Sequence, residues 1–165
     1  MTPDISITEL RATRSPEATL LALGAILLAT SLAAGLGALV SGGEADPWYA
    51  ALNKAPGNPP GFLFGIVWPI LYALMAVGAF MAWRAGAKLG VFMLQLAFNL
   101  AWSYLFFELH LPLPALIDLL VLWGLVAWMI AGFLAHSRLA AIIQVPYILW
   151  LSFAAYLNAW IVFAN

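Results

Sequence analysis

The chain has no cysteine in its 165 residues. That absence excludes disulfide bridges, thiol catalysis, iron–sulfur ligation and cysteine-based zinc sites. Charge is also scarce: 6 basic and 7 acidic side chains amount to 8% of the chain. An ordinary soluble domain carries about 25% charged residues, so too few are present to cover a water-facing surface. Water-soluble enzymes are thereby excluded. A formal net charge of -1 supplies no basic field for nucleic acid. What the chain has is 65% hydrophobic residues and eight tryptophans. That is the composition of a polytopic membrane protein, whose solvent is lipid.

Residues 1–17 read as a polar tail holding Asp4, Glu9, Arg11, Arg14 and Glu17. Beyond it, the apolar runs are long enough to cross about 30 Å of hydrocarbon at about 1.5 Å per residue. They predict one transmembrane domain over 18–165, an all-α bundle of five helices at about 19–41, 62–84, 89–108, 113–136 and 139–163. The runs lack polar/apolar alternation, which argues against membrane strands. Arg11 and Arg14 precede the first run, as they would the core of a signal peptide. That run is longer than the usual core of about 7–15 residues, so it reads as a span. No internal repeat supports an inverted-repeat transporter. Arg11, Arg14, Arg84, Lys88 and Arg138 fall on one side and only Lys54 on the other, which predicts a cytoplasmic N-terminus and an external C-terminus. His110 and His136 then lie on opposite sides and cannot share a metal, so neither a metal site nor a cofactor is expected.

Polar groups inside a span are costly and therefore informative. Gln95, Asn99 and Trp102 are spaced i, i+4 and i+7, which aligns them on one face of the third span. They serve either as helix–helix glue or as donors aimed at a ligand. Asp118 is read as a carboxylate held by the helix dipole near the start of the fourth span. Pro146 in the fifth span should kink it beside Tyr147 and Trp150. Trp68-Pro69 with Tyr72 repeats the arrangement in the second span, and two such breaks could wall an aromatic pocket. Trp48 and Tyr49 also fit an interfacial aromatic belt. The first span carries a small-residue ladder, Ala25, Ala29, Ala33, Gly37 and Ser41, and the third has Gly90, Ala97 and Ala101. Both read as packing faces, with a homodimer seam as the alternative.

Four segments together resemble a known family. Trp48-Tyr49-Ala50-Ala51-Leu52-Asn53-Lys54 with Asn58-Pro59-Pro60 is similar to the first-loop signature of the translocator protein family (TspO/MBR), also called tryptophan-rich sensory proteins or peripheral-type benzodiazepine receptors. Ile66-Val67-Trp68 with Tyr72, Gln95-Leu96-Ala97-Phe98-Asn99 with Trp102, and Val145-Pro146-Tyr147-Ile148-Leu149-Trp150 agree in order and spacing, and Tyr156-Leu157-Asn158 also matches. The resemblance implies a bacterial-type member in the cell membrane, a five-helix bundle that is often a homodimer, and no nucleic-acid partner. It implies a pocket for porphyrins such as protoporphyrin IX, for sterol- or isoprenoid-like lipids and for benzodiazepine-type ligands. By motif, the ligand-binding positions are Tyr49, Trp68, Gln95, Asn99, Trp102, Tyr147 and Trp150, under a loop lid with Trp48, Lys54, Pro59 and Pro60. Two departures stand out. The run Lys54-Ala55-Pro56-Gly57 lacks the proline directly after the lysine and the aromatic bulk usual in that loop. Tyr156 is followed by no basic residue, although the cholesterol motif requires one.

Three classes of function compete on these grounds. The first is a sensor or carrier that binds tetrapyrroles or lipids. The second is a light-dependent protoporphyrin-degrading activity with Trp68 and Trp150 as candidate electron donors. The third is a regulatory partner subunit acting through its small-residue faces. Tryptophans in lipid without an acid–base pair suit binding better than hydrolysis.

Overall fold

The structure is a computed structural model that describes residues 14–41 and 46–165. Most of the expected tail, residues 1–13 with Arg11, lies outside the described residues. The elements are α1 (Pro16–Val40), α2 (Pro47–Ala51), α3 (Gly61–Arg84), α4 (Gly90–Ser103) continued by a π turn (Tyr104–Glu108), α5 (Pro112–Leu134), α6 (Arg138–Ile142) and α7 (Val145–Ala164). The all-α expectation holds: five helical segments are long and apolar enough to span a membrane, the fifth being α6 and α7 together. Proline opens α1, α2 and α5, where its fixed φ favours a first turn and its missing N–H has no cost. Ser15 Oγ caps α1 by accepting from the Ala18 N–H at 3.2 Å, and Asp46 Oδ1 caps α2 by accepting from the Trp48 N–H at 2.8 Å.

The helices close into a ring. α1 packs on both α3 and α4, α4 on α5, α5 on α7, and α6 and α7 return to α3. The small-residue ladder of α1 points inward at its centre, where Ala33 and Gly37 are buried. A Cβ added to Gly37 would stand 3.5 Å from Ser103 Oγ, an ordinary contact distance, so α1 and α4 meet here through small side chains. Phe92, Leu119, Leu122, Val126 and Leu151 fill the middle. Leu20, Leu28, Ile117, Trp128 and Phe163 point outward, as lipid-facing side chains must.

Both proline positions differ from the expectation of two interrupted helices. Pro69 lies inside an unbroken α3. Its ring supplies no N–H, so the carbonyl of Gly65 loses its helical donor without the helix ending. Near Pro146 the fifth span is broken rather than kinked: Ile143 and Gln144 form a turn, and Pro146 sits in the first turn of α7. A proline is favourable there and disruptive one turn later, so the break precedes it. Gln144 pins the break to α3. Its side chain is fully buried, and Nε2 donates to the Leu74 carbonyl at 3.0 Å.

Gly78 makes that contact possible. A Cβ there would overlap Gln144 Nε2 and lie 3.1 Å from the Ala140 carbonyl. Gly78→Ala is expected to destabilise the bundle by about 1–3 kcal/mol through this overpacking. Thermal unfolding in detergent should show a lowered midpoint; an unchanged midpoint would mean that Gln144 does not anchor the break.

Candidate functional site

One end of the bundle holds a cavity of about 440 Å³ between α1, α3, α4 and α7, with α2 over it. That volume is within the range of small-molecule sites. Gly37 and Ala38 form its α1 wall, Phe64, Trp68 and Tyr72 its α3 wall, and Trp102, Phe106 and Phe107 its α4 wall. No charged side chain lines it. Each wall has a local cause. The small residues of α1 leave room that larger side chains would fill. The π turn adds a residue to one turn, seen in the Leu109 N–H donating to the Tyr104 carbonyl at 3.0 Å, and here Phe106 and Phe107 both border the cavity.

The aromatic rings form a continuous run. Tyr72 lies 5.7 Å from Trp68, Trp68 lies 6.2 Å from Trp102, and Trp102 stacks on Phe106 at 5.8 Å. Phe106 meets Trp48 edge-on at 5.5 Å, and Trp48 stacks on His110 at 4.3 Å. Trp102 is oriented by α7: its indole N–H donates to Asn158 Oδ1 at 3.2 Å, while Asn158 Nδ2 donates to the Pro112 carbonyl at 2.8 Å.

Beneath the cavity lies a polar cluster. Tyr72, on the cavity wall, donates its hydroxyl proton to Asn99 Oδ1. Asn99 Nδ2 donates to Tyr147 Oη at 3.1 Å, and the Tyr147 hydroxyl donates to Gln95 Oε1 at 2.8 Å. Gln95, Asn99 and Tyr147 are buried to 1% exposure or less. Gln95 Nε2 completes the cluster by donating to Met75 Sδ at 3.7 Å, so the bonds link α3, α4 and α7. Of the positions expected from the motifs, the structure therefore brings Tyr49, Trp68 and Trp102 to the cavity. Gln95, Asn99 and Tyr147 do not line it and are hydrogen-bonded to one another below it. Trp150 is off the wall, packed edge-on against Phe64 at 5.7 Å. Phe64, Phe106 and Phe107 were not singled out from the sequence. Phe106 was the findable one, since it lies i+4 from Trp102 on the same face.

The lid is tied down at several points. Tyr49 is buried on Phe106 and Phe107, and Lys54 Nζ sits 4.8 Å from the centre of its ring. Lys54 also donates to the Ala50 carbonyl at 3.3 Å. The Asn53 N–H donates to Asn165 Oδ1 at 2.8 Å, and the Tyr156 hydroxyl to the Pro56 carbonyl at 3.1 Å. Pro59 and Pro60 lead directly into α3, with Pro60 as its N-terminal boundary residue. On the other flank, His110 Nε2 lies 3.3 Å from Asp46 Oδ2, and residue 110 holds a φ of 53°. That left-handed backbone is uncommon for a residue other than glycine, and the Trp48 stack and the Asp46 contact hold the ring in place. His110→Ala should release about 1 kcal/mol of these contacts. Amide exchange over residues 46–58 is expected to quicken about fivefold while the mid-membrane helices are unchanged; wild-type exchange in the lid would contradict this attachment.

The profile of the TspO/MBR family matches residues 25–164. The chain belongs to the TspO/MBR family. It is 39% identical over 145 residues to the translocator protein of Bos taurus, covering 83% of this chain and 85% of the bovine one. It is 38% identical over 118 residues to tryptophan-rich protein TspO of Chlorobaculum tepidum, covering 67% of this chain and 75% of that one. With the tryptophan-rich sensory protein of Cereibacter sphaeroides it shares 35% identity over 116 residues, 68% of this chain and 73% of that one. Family membership and the five apolar spans make it an integral, multi-pass membrane protein. In this TspO/MBR chain the first-loop segment with Tyr49 covers the cavity, and the Trp68 and Trp102 segments face each other beneath it.

Proposed function

We propose that the chain is a membrane-embedded binding protein, a sensor or carrier, that holds a flat and largely apolar ligand in the lidded cavity. A tetrapyrrole such as protoporphyrin IX is the first choice, with isoprenoid-like lipids as a second class. The observation that carries this reading is a cavity walled by aromatic faces and free of charge, closed by a short helix. Rings at stacking distance can cover a macrocycle, each contact contributing roughly 0.5–1.5 kcal/mol beyond burial. Carboxylates on such a ligand belong at the mouth, beside Lys54, because no wall residue could compensate a buried charge. The printed names of the relatives, translocator and sensory protein, support a carrier or sensor role. A sterol is disfavoured: Tyr156 bonds the lid carbonyl of Pro56, and no basic residue follows it. A homodimer would use the exposed Gly90 and Ala97 of α4, since Ala33 and Gly37 of the α1 ladder are engaged inside the bundle.

Titrating the purified protein with protoporphyrin in darkness, read by tryptophan fluorescence quenching, tests this. Saturation at one porphyrin per chain is expected. Quenching that rises linearly without saturation would mean simple partition into detergent.

The Trp68–Trp102 pair supports a second reading, light-dependent porphyrin degradation. A light-excited porphyrin can take an electron from a tryptophan in contact with it, and Trp68 and Trp102 border the cavity whereas Trp150 does not. Under illumination, Trp68→Phe should then slow the loss of porphyrin absorbance while retaining binding. Bleaching at the wild-type rate would leave the protein a binder only.

A further inference from the structure

At the end of the bundle away from the lid, a second groove of about 410 Å³ runs between α1, the end of α3 and the start of α4. Arg14, Trp83 and Lys88 border it, and Ala25, Ile26 and Met93 supply apolar wall. The Arg14 guanidinium carbon lies 3.8 Å from the centre of the Trp83 ring, a cation–π contact that holds the charge at the groove. Among the described residues no carboxylate pairs with Arg14 or Lys88; the one short contact of this kind, His110–Asp46, is at the lid end. Of the described bases only Lys54 is at the lid end; Arg14, Arg84, Lys88 and Arg138 all fall at this end, with Glu17 as its described acidic residue.

Two cations at the rim of an apolar trough, with no described carboxylate beside them, are matched by a ligand with a phosphate and a hydrocarbon part. The depth agrees. α1 begins at Pro16 and α3 ends at Arg84, so the cations stand where the spans meet water, at the level of lipid headgroups. Ala25 and Met93 are exposed on the outer surface, which leaves the trough open to acyl chains. A free inorganic anion would leave that apolar wall unused. We propose that this groove binds an anionic phospholipid of the surrounding leaflet, its phosphate between Arg14 and Lys88 and its chains along Ala22, Ala25 and Met93. The site is separate from the lidded cavity and does not depend on what that cavity holds.

The test uses the full chain purified in detergent and incubated with equal amounts of phosphatidylglycerol and phosphatidylcholine; retained lipid is then counted by native mass spectrometry. Wild type should retain phosphatidylglycerol preferentially. Arg14 and Lys88 are both exposed, so Arg14→Gln with Lys88→Gln leaves the core intact. That variant should weaken retention about fivefold for each charge removed. The charge-keeping pair Arg14→Lys with Lys88→Arg should retain most of the preference. Arg138→Gln removes a charge from the same end without touching the groove and should change retention less than twofold. Three results would overturn the proposal: wild-type retention in the double glutamine variant, an equal loss with Arg138→Gln, or displacement of the lipid by inorganic phosphate at matched concentration.

Discussion

Trp68→Ala is expected to weaken protoporphyrin binding by about 2 kcal/mol, some thirtyfold, with little effect on the fold. Trp68 is half-buried and borders the cavity, so its ring covers the ligand more than it supports the core. Trp102→Ala should lose comparable affinity and also stability, because Trp102 is 7% exposed and its indole N–H is bonded to Asn158. Trp128 serves as the control. It is 65% exposed on the lipid-facing surface, so Trp128→Ala should change neither quantity. The measurement is the quenching titration paired with a thermal midpoint for each variant. Equal affinity losses at Trp68 and Trp128 would contradict the placement of the ligand.

The second large effect concerns the polar cluster below the cavity. Asn99→Leu removes the acceptor of the Tyr72 hydroxyl and the donor to Tyr147 in one step. Tyr147 keeps its bond to Gln95 Oε1, whereas the Tyr72 hydroxyl is left without its acceptor, at a cost of about 1–3 kcal/mol. The expected result is a fall in stability of that size, with thermal unfolding at a lower temperature. Affinity should fall less than for Trp68→Ala once measured on the folded fraction, because Asn99 does not reach the cavity. Wild-type stability with lost binding would instead make Asn99 a direct ligand contact.

The spans were legible because lipid imposes a single rule on every crossing segment: satisfy the backbone internally and expose apolar side chains. The length of an uncharged run therefore suffices to detect a span. Tyr49, Trp68 and Trp102 were legible through the family resemblance and lie on the cavity wall. The role of Gln95 and Asn99 was not, because an amide facing a ligand and an amide facing another helix have the same spacing. Their partners Tyr72 and Tyr147 arrive from α3 and α7, which the spacing within one span does not show. Pro146 shows a similar limit. A proline inside an apolar run signals an interruption, but whether the helix bends or restarts depends on tertiary anchors such as Gln144 on Leu74. The π turn was also hidden, since nothing in Tyr104-Leu105-Phe106-Phe107-Glu108 marks an inserted residue. Its consequence, two phenylalanines on the cavity, follows from backbone geometry.

The central claim is that the space between α1, α3, α4 and α7 under the lid is where the ligand sits. Gly65 borders that space, and a Cβ added there would meet nothing within 4 Å. The Cβ of Gly65→Phe would thus meet no packed contact, and its ring should obstruct the cavity. Titrated with protoporphyrin in darkness, this variant is expected to lose at least tenfold in affinity, on the order of 1.4 kcal/mol, while unfolding at the wild-type temperature. Wild-type affinity in a variant with the cavity obstructed would place the ligand elsewhere and contradict the account.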